Sequence, residues 1–475
     1  MTPRDAVFVY DEFARHPSNI VAVYAFDATA PQATPPELDA VHAWVRARIG
    51  HFPRHRQRLA RVPWDLDLPY WVPDRDFDLD RHVASAESGL AWDAARERIA
   101  EIAADRMDLD RPPWRVDVFA GVRGVPGAPG DTVTLVVVRF HHSAGDGVAT
   151  RALESKLFDA GAELPVGTPD EGRTWSAPFA AARAVAVLPY RLTRFAIGLR
   201  RTGVAAAEVR ERTAAGLIHE PPAFRPATRF NRRVDPVFGF DLVRIPLSAV
   251  LRAKAAAPER VTVNDLVLTV VSGALGTLLA ELGETPSAAL AAMVPRSMRG
   301  VAHWDSANQL VQLSVDLHTD LADPVARLLA IRESARREKE RSADPAVLRR
   351  ESRVQTSPAW LLRLAGWARA RRVFDELSTV PLSNTTVSNV PPVAARLEFL
   401  GAPMICAFGA LPIMDGDGLR HVTTSQGDEL IIAFSADRTM LPSTAHYGEL
   451  LLCSFDRLSA ALESAEAERV LEHRP

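Results

Sequence analysis

Lysine is almost missing from this chain: of its 56 basic residues only Lys156, Lys254 and Lys339 are lysines, and the rest are arginine. So strong a bias reflects coding more than function, and no single arginine marks a site. Acidic and basic side chains nearly cancel, 59 against 56, for a formal charge of −3, so the molecule has no nucleic-acid footprint. Cysteine is limited to Cys406 and Cys453. Two thiols cannot build a disulfide framework, and without a CxxC pair there is no zinc or redox motif; both are expected to be small core residues. Apolar runs such as 133–138 and 266–271 fall far short of the ~18–20 residues of a membrane span. Asp5, Asp11 and Glu12 stand where a signal peptide would need its apolar stretch. The expected compartment is therefore cytoplasmic, with any membrane contact peripheral. No internal repeat suggests a solenoid. G-x-S-x-G, G-x-x-x-x-G-K-[ST] and H-E-x-x-H are all missing, so a serine hydrolase, a P-loop nucleotidase and a zincin lose their main support.

What remains is ordinary soluble composition over 475 residues, with 47% hydrophobic and 24% charged side chains. Strand and helix patterns alternate. Residues 20–26 read as a strand and 40–49 as a helix; 115–121 and 132–140 are two apolar strands joined by a Gly- and Pro-rich hairpin loop. A polar passage follows at 161–173, then 179–204, which is apolar but studded with arginine. A loose connector containing Pro221, Pro222 and Pro226 suggests a division into 1–205, a linker at 206–236 and 237–475. The second part opens with a strand at 238–245 and a helix from about 263 to 282, continues with strands at 289–294, 310–317 and 430–436, and closes on a helix. Two α/β halves of similar size imply a site in the cleft between them.

One constellation carries chemistry: His141-His142-Ser-Ala-Gly-Asp146-Gly147, directly after a strongly apolar strand and before a helix. Consecutive strand residues point to opposite faces, so His141 and His142 cannot easily hold one metal together. That argues for acid/base work, in which an imidazole takes a proton from an alcohol and returns it to a leaving group. Asp146 can brace the loop through an arginine or cap the following helix, and Gly147 allows a close turn into that helix. No covalent nucleophile is apparent, which favours direct transfer.

With these residues the chain resembles the bacterial wax ester synthase/acyl-CoA:diacylglycerol acyltransferase family, in the superfamily of chloramphenicol acetyltransferase and peptide-synthetase condensation domains. The likeness covers nearly the whole chain. Besides the His-His-x-x-x-Asp-Gly motif it includes Asp5 to His16-Pro17, the segment from His55 to Leu59, the segment from Trp71 to Val83, Asp110-Arg-Pro112-Pro113-Trp114, and Val263-Asn264-Asp265-Leu266. Met293 to Arg299, Asn308-Gln309 and Val387-Ser388-Asn389-Val390-Pro391 complete the set.

The resemblance implies an α/β fold of two chloramphenicol-acetyltransferase-like subdomains, each a mixed sheet with flanking helices, and an active-site channel between them. It makes His142 the general base, with His141 and Asp146 holding the site's shape and Arg299 the first candidate partner for Asp146. Asn264 and Asp265 either shape the site or serve as ordinary helix caps. Ser388-Asn389 is turn-forming by propensity, and the resemblance places it near the cleft, where its polar groups could meet a developing oxyanion. Pro112 and Trp114 belong to the family's Pro-Leu-Trp block. Pro113, Arg296 and Met298 depart from the pattern, which leaves the acceptor and acyl pockets open. The implied reaction moves an acyl group from acyl-CoA to the hydroxyl of diacylglycerol or a long-chain fatty alcohol, with acyl-CoA as substrate and no bound cofactor or metal. An insoluble acceptor implies peripheral contact with the inner membrane or lipid droplets, for which 179–201 and 360–374 offer Arg-flanked apolar helical patterns; the alternative for each is a helix packed on the core. Two other readings fit the same residues: an acyltransferase of this fold acting on a secondary-metabolite alcohol or with a carrier-bound donor, and a non-catalytic lipid-binding or droplet-coat protein.

Overall fold

The computed structural model describes residues 1–52, 54–85, 87–159, 175–235, 237–302, 304–374, 381–391 and 397–472. The polar passage expected at 161–173 lies outside them. The strands are β1 Asn19–Asp27, β2 Gln57–Ala60, β3 Tyr70–Pro73, β4 Val83–Ser85, β5 Trp114–Val122, β6 Val133–His141, β7 Phe238–Pro246, β8 Ala291–Ser297, β9 Leu310–Asp316, β10 Thr385–Asn389, β11 Glu398–Phe399, β12 Ala402–Gly409, β13 Leu419–Gln426 and β14 Glu429–Asp437. The helices are α1 Pro3–Tyr10, α2 Leu38–Arg48, α3 Trp92–Ala104, α4 Gly147–Phe158, α5 Ala177–Ala214, α6 Leu247–Ala256, α7 Val263–Glu281, α8 Pro324–Ala343, α9 Pro345–Glu351, α10 Ala359–Ala370 and α11 Thr444–Glu472.

All nine residues of β6 are buried, as its near-continuous apolar run requires of a strand covered on both faces. Alternate residues go to opposite sides. Val136, Val138 and Phe140 join Tyr24, Phe26, Trp44 and Phe158 in one cluster. Leu135 and Val137 belong to a second cluster that runs on into Phe240, Leu268 and Phe434 of the other half. The core is thus continuous from one half to the other. Two six-stranded mixed sheets frame it, ordered β11-β12-β1-β6-β5-β4 and β7-β14-β13-β10-β8-β9.

Four expectations change. The break at 205 falls inside α5, which runs to Ala214. The connector beyond it is anchored, because Thr228 and Asn231 form a capping box and Asn231 Nδ2 donates to Ser383 O at 3.1 Å and Gly416 O at 3.0 Å. The C-terminal part also returns a strand to the first sheet, where β12 pairs antiparallel with β1, Ala22 opposite Gly409. Finally, Cys406 is buried but Cys453 is exposed on α11, since that helix offers only one face to the core. Helix α7 is long and apolar enough to cross a membrane, yet 67% of its apolar stretch is buried; it is a core helix whose Gly, Ser and Thr residues interrupted the apolar runs visible in the sequence.

Helix α1 docks on α10 through Ala6, Tyr10, Ala359 and Leu362, and the approach is close enough that a Cβ at Gly366 would strike the Tyr10 carbonyl. At Gly203, inside α5, a Cβ meets open space. Gly366→Ala is expected to destabilise the protein by about 1–3 kcal/mol, as overpacking does. Gly203→Ala is expected to stabilise it by up to ~1 kcal/mol through helix propensity. Thermal denaturation of the two variants checks the opposite signs; a neutral Gly366→Ala contradicts the packing of α1 on α10.

Candidate active site

Strand β6 delivers His141 at its last position, and the chain then tightens into a 3₁₀ turn, His142–Ala144. Backbone bonds clamp both histidines: His141 N donates to Pro113 O at 3.0 Å and His142 N to Ser18 O at 2.8 Å. The two rings diverge. His141 is fully buried, and its Nδ1 accepts from Ser143 N at 3.2 Å and lies 2.7 Å from Ser143 Oγ. With Nδ1 accepting, its proton sits on Nε2, which faces Glu12 Oε1 at 3.5 Å, longer than a formed hydrogen bond. Burial pushes the Glu12 carboxyl up, but His141, Arg106 and the Ser18 N–H outweigh it and leave it below the usual range.

His142 is held from the opposite direction. Its ring stacks on Phe8 of α1, with centroids 4.6 Å apart and planes within 8°. Its Nδ1 lies 3.2 Å from Asn308 Oδ1. Asn308, just ahead of β9, is buried, and its Nδ2 donates to Asp5 Oδ1 at 2.9 Å and to the His142 carbonyl at 2.7 Å. Both amide protons are therefore committed, and turning the amide over would set Oδ1 against a carboxylate. Asn308 Oδ1 can only accept, so His142 Nδ1 donates and its Nε2 keeps the lone pair. Asp5 fixes the arrangement, since its carboxylate also accepts from Thr2 Oγ1 at 2.6 Å, Ser306 Oγ at 2.7 Å, Ala307 N at 3.3 Å and Asn308 N at 3.1 Å.

Burial is the main cause of the ring's low basicity. Removal from water lowers the His142 pKa to about 4; the Asn308 bond opposes this, while His141 and Arg420 add to it. The imidazole is thus neutral at ordinary pH.

Asp146 ties the same turn to the other half. Arg299, in the segment after β8, donates from Nη1 to Asp146 Oδ2 at 2.7 Å, and Gln309 N donates to that oxygen at 3.2 Å. Arg299 Nη2 also reaches Ala307 O at 3.1 Å, closing the 299–309 segment around the turn. Gly147 is the first residue of α4.

The other expected site residues are not part of this network. Asp265 is engaged in a capping box with Thr262 at the start of α7, accepting from Thr262 N at 2.8 Å; a cap is its evident role. Neighbouring Asn264 has a buried Oδ1 with no hydrogen-bond partner among the described residues. Ser388 and Asn389 are not in a turn but end β10, paired parallel with β13 opposite Val422 and Thr423. The run Thr385-Thr386-Val387 is β-branched, and that preference extends the strand through the turn-forming pair. Trp114 begins β5 with its ring buried against Phe52, centroids 4.3 Å apart, and its Nε1 donates to His55 O at 3.0 Å; Pro112 and Trp114 brace the strand beside β6. Met298 is fully buried, and Arg296 donates to Ser342 Oγ at 2.7 Å, so both pack within the second half. Reasoning from the residues singled out neither Asp5, Phe8, Glu12 nor Asn308 for a role. Asp5 and Asn308 entered the site reading only within blocks of resemblance that gave them no role, and no local pattern marks a bond between residues 303 positions apart.

At neutral pH, ¹⁵N shifts of His142 should place its proton on Nδ1, and titration should give a pKa near 4. In Asn308→Ala that pKa should fall further, because the bond that raises it is gone. A proton on Nε2, or a pKa near the ordinary 6.5, would contradict this geometry.

Known proteins agree with this architecture. The wax ester synthase/diacylglycerol acyltransferase catalytic-domain model matches residues 1–267, and the C-terminal-domain model of the same family matches 306–459. A Mycobacterium tuberculosis H37Rv protein named as a diacylglycerol O-acyltransferase is 28% identical over 476 residues, covering 95% of this chain and 90% of its own. The O-acyltransferase WSD of Acinetobacter baylyi is 28% identical over 394 residues, covering 78% and 79%. Among solved structures, the wax ester synthase/diacylglycerol acyltransferase of Marinobacter aquaeolei VT8 superposes with a TM-score of 0.63 at 20% identity, over 98% of this chain and 99% of that one. The trichothecene 15-O-acetyltransferase of Fusarium sporotrichioides shares the fold at a TM-score of 0.57 and 13% identity, over 97% and 94%. With both family domains matched in order along the chain and the His-His-x-x-x-Asp-Gly turn braced from both halves, the protein belongs to the wax ester synthase/diacylglycerol acyltransferase family and is an O-acyltransferase.

Proposed function

We propose that the chain transfers a long-chain acyl group from acyl-CoA to the hydroxyl of diacylglycerol, a long-chain fatty alcohol, or both, with His142 as general base. The observation that carries this is the His142 imidazole, neutral and with Nδ1–H committed to Asn308, which leaves Nε2 as the proton acceptor. Nε2 removes the hydroxyl proton as the oxygen attacks the thioester carbonyl, giving a tetrahedral oxyanion. Collapse of that oxyanion breaks the carbon–sulfur bond, and the proton on Nε2 passes to the departing CoA sulfur. The transient imidazolium keeps its Nδ1–H on Asn308, so the ring does not turn between the two proton transfers. Arg299 and Asp146 keep the turn in place without touching the reacting atoms.

The acceptors are insoluble, and the surface is suited to reaching them. Helix α10 buries Ala359, Leu362 and Gly366 and turns Trp360, Leu364 and Trp367 outward; α5 exposes Phe179, Tyr190, Ile197 and Leu199. Arginines flank both. This supports work by a cytoplasmic protein held peripherally at the inner membrane or at lipid droplets.

With acyl-CoA and diacylglycerol, or with a fatty alcohol, His142→Ala should lower CoA release by about 10²–10⁴-fold while far-UV dichroism stays unchanged; full activity would refute the assignment. In the wild type kcat/KM should stay flat as pH falls from 8 to about 5 and drop only near His142's value of about 4, because the base works unprotonated. An acid limb near 6.5 would contradict it. Folding must be followed in parallel. A histidine whose native pKa is depressed stabilises the fold above its unfolded value of about 6.5 and loses that stability as pH falls toward 4.

A further inference from the structure

Away from the His142 network, α5 and the turn Ser352–Thr356 enclose a cavity of about 390 Å³. Four arginines line it, Arg194, Arg201, Arg349 and Arg353, together with Gln355. Gly198 and Thr356 are both in the lining, and a Cβ at residue 198 would strike Thr356 Oγ1, so glycine lets α5 and the turn come into contact there.

The charge balance is lopsided. Arg349 Nη2 contacts both carboxylate oxygens of Glu208 at 2.6 Å. Arg194 lies 5.8 Å from the ring centroid of Tyr190. Among the described residues no carboxylate pairs with Arg194, Arg201 or Arg353. Four cations around one concave site with a single counter-charge suit an anion with several acceptor oxygens, and guanidinium forks suit phosphate in particular.

The surroundings narrow the source. Tyr190 and Ile197 form part of the lining and are exposed, and Phe195 of α5 meets Trp360 of α10 edge-on, centroids 6.3 Å apart. Two of the apolar side chains that α5 turns outward, Tyr190 and Ile197, are therefore part of the cavity itself, and the same helix touches α10 through Phe195. A free phosphate compound has no use for them, whereas a phospholipid presents its phosphate directly above its acyl chains.

We propose that this cavity binds the phosphate headgroup of an anionic phospholipid, phosphatidic acid being the simplest. The assignment deepens the membrane reading above and uses no residue of the catalytic turn. The test compares wild type with Arg201→Ala/Arg353→Ala, and with Arg200→Ala/Arg210→Ala, exposed arginines of the same helix that do not line the cavity. Each is floated with phosphatidylcholine vesicles with and without phosphatidic acid, and titrated with soluble dihexanoyl phosphatidic acid, inorganic phosphate and CoA.

The cavity variant should lose binding to phosphatidic acid vesicles roughly tenfold or more, and the short-chain lipid with it, while the control pair keeps both. CoA release from soluble substrates should be unchanged in both variants. Equal losses in the two variants, or none in either, would overturn the site. Loss of phosphate or CoA binding with vesicle binding intact would overturn the lipid assignment in favour of a free phosphate compound. Trp360→Ser/Trp367→Ser separates the two claims: if flotation survives it and also fails to depend on the cavity, the membrane reading fails, whereas binding of the short-chain lipid judges the cavity by itself.

Discussion

A single buried carboxylate organises the candidate active site. Asp5 gathers donors from Thr2, Ser306, Ala307 and Asn308, and by taking one proton of the Asn308 amide it dictates how that amide faces His142. Asp5 and Asn308 are buried and the other groups half-buried, and an unpaired buried polar group costs about 1–3 kcal/mol. The network therefore has one satisfied arrangement, and that arrangement decides which nitrogen of His142 keeps its lone pair. His142 comes from the first half of the chain, but its tautomer is set by a residue of the second.

The same dependence explains why the halves are not separable units. Helix α1, which supplies Asp5 and Phe8, is seated on α10 from far down the sequence. Strand β12 crosses back to pair with β1. Arg299 reaches over to Asp146, and Arg96 of α3 meets Asp241 of β7 at 2.5 Å. An apolar core that runs between the two sheets joins what these polar contacts hold in register. The low basicity of His142 is a product of this enclosure, because removal from water disfavours the charged ring.

Much of this was legible in the sequence because it is local. The continuous apolar run of β6 announced a central strand, and the spacing of His141, His142 and Asp146 placed the motif at its end. Arg299 came forward as the partner of Asp146 because it ends a strand-like segment in the other half. Local reasoning failed where a neighbour overrode it: Ser388 and Asn389 have turn propensity, but the β-branched run before them and the parallel partner β13 continue the strand. The proline-containing connector looked loose because the bonds that fix it, from Asn231 to Ser383 and Gly416, come from distant positions. Asp265 shows the converse, a residue prominent within a block of resemblance that the structure spends on a helix cap. Asp5 and Asn308 could not be paired from sequence at all, since periodicity and propensity carry no information across 303 positions.

The central claim is that Asn308 serves the reaction through His142 rather than by a contact of its own. A double-mutant cycle on kcat/KM for acyl transfer tests it directly, using Asn308→Ala, His142→Ala and the combined variant. The account predicts a substantial loss in Asn308→Ala alone and almost no further loss when the substitution is added to His142→Ala. Losses that simply multiply would show that Asn308 acts independently of the histidine, and would contradict the account.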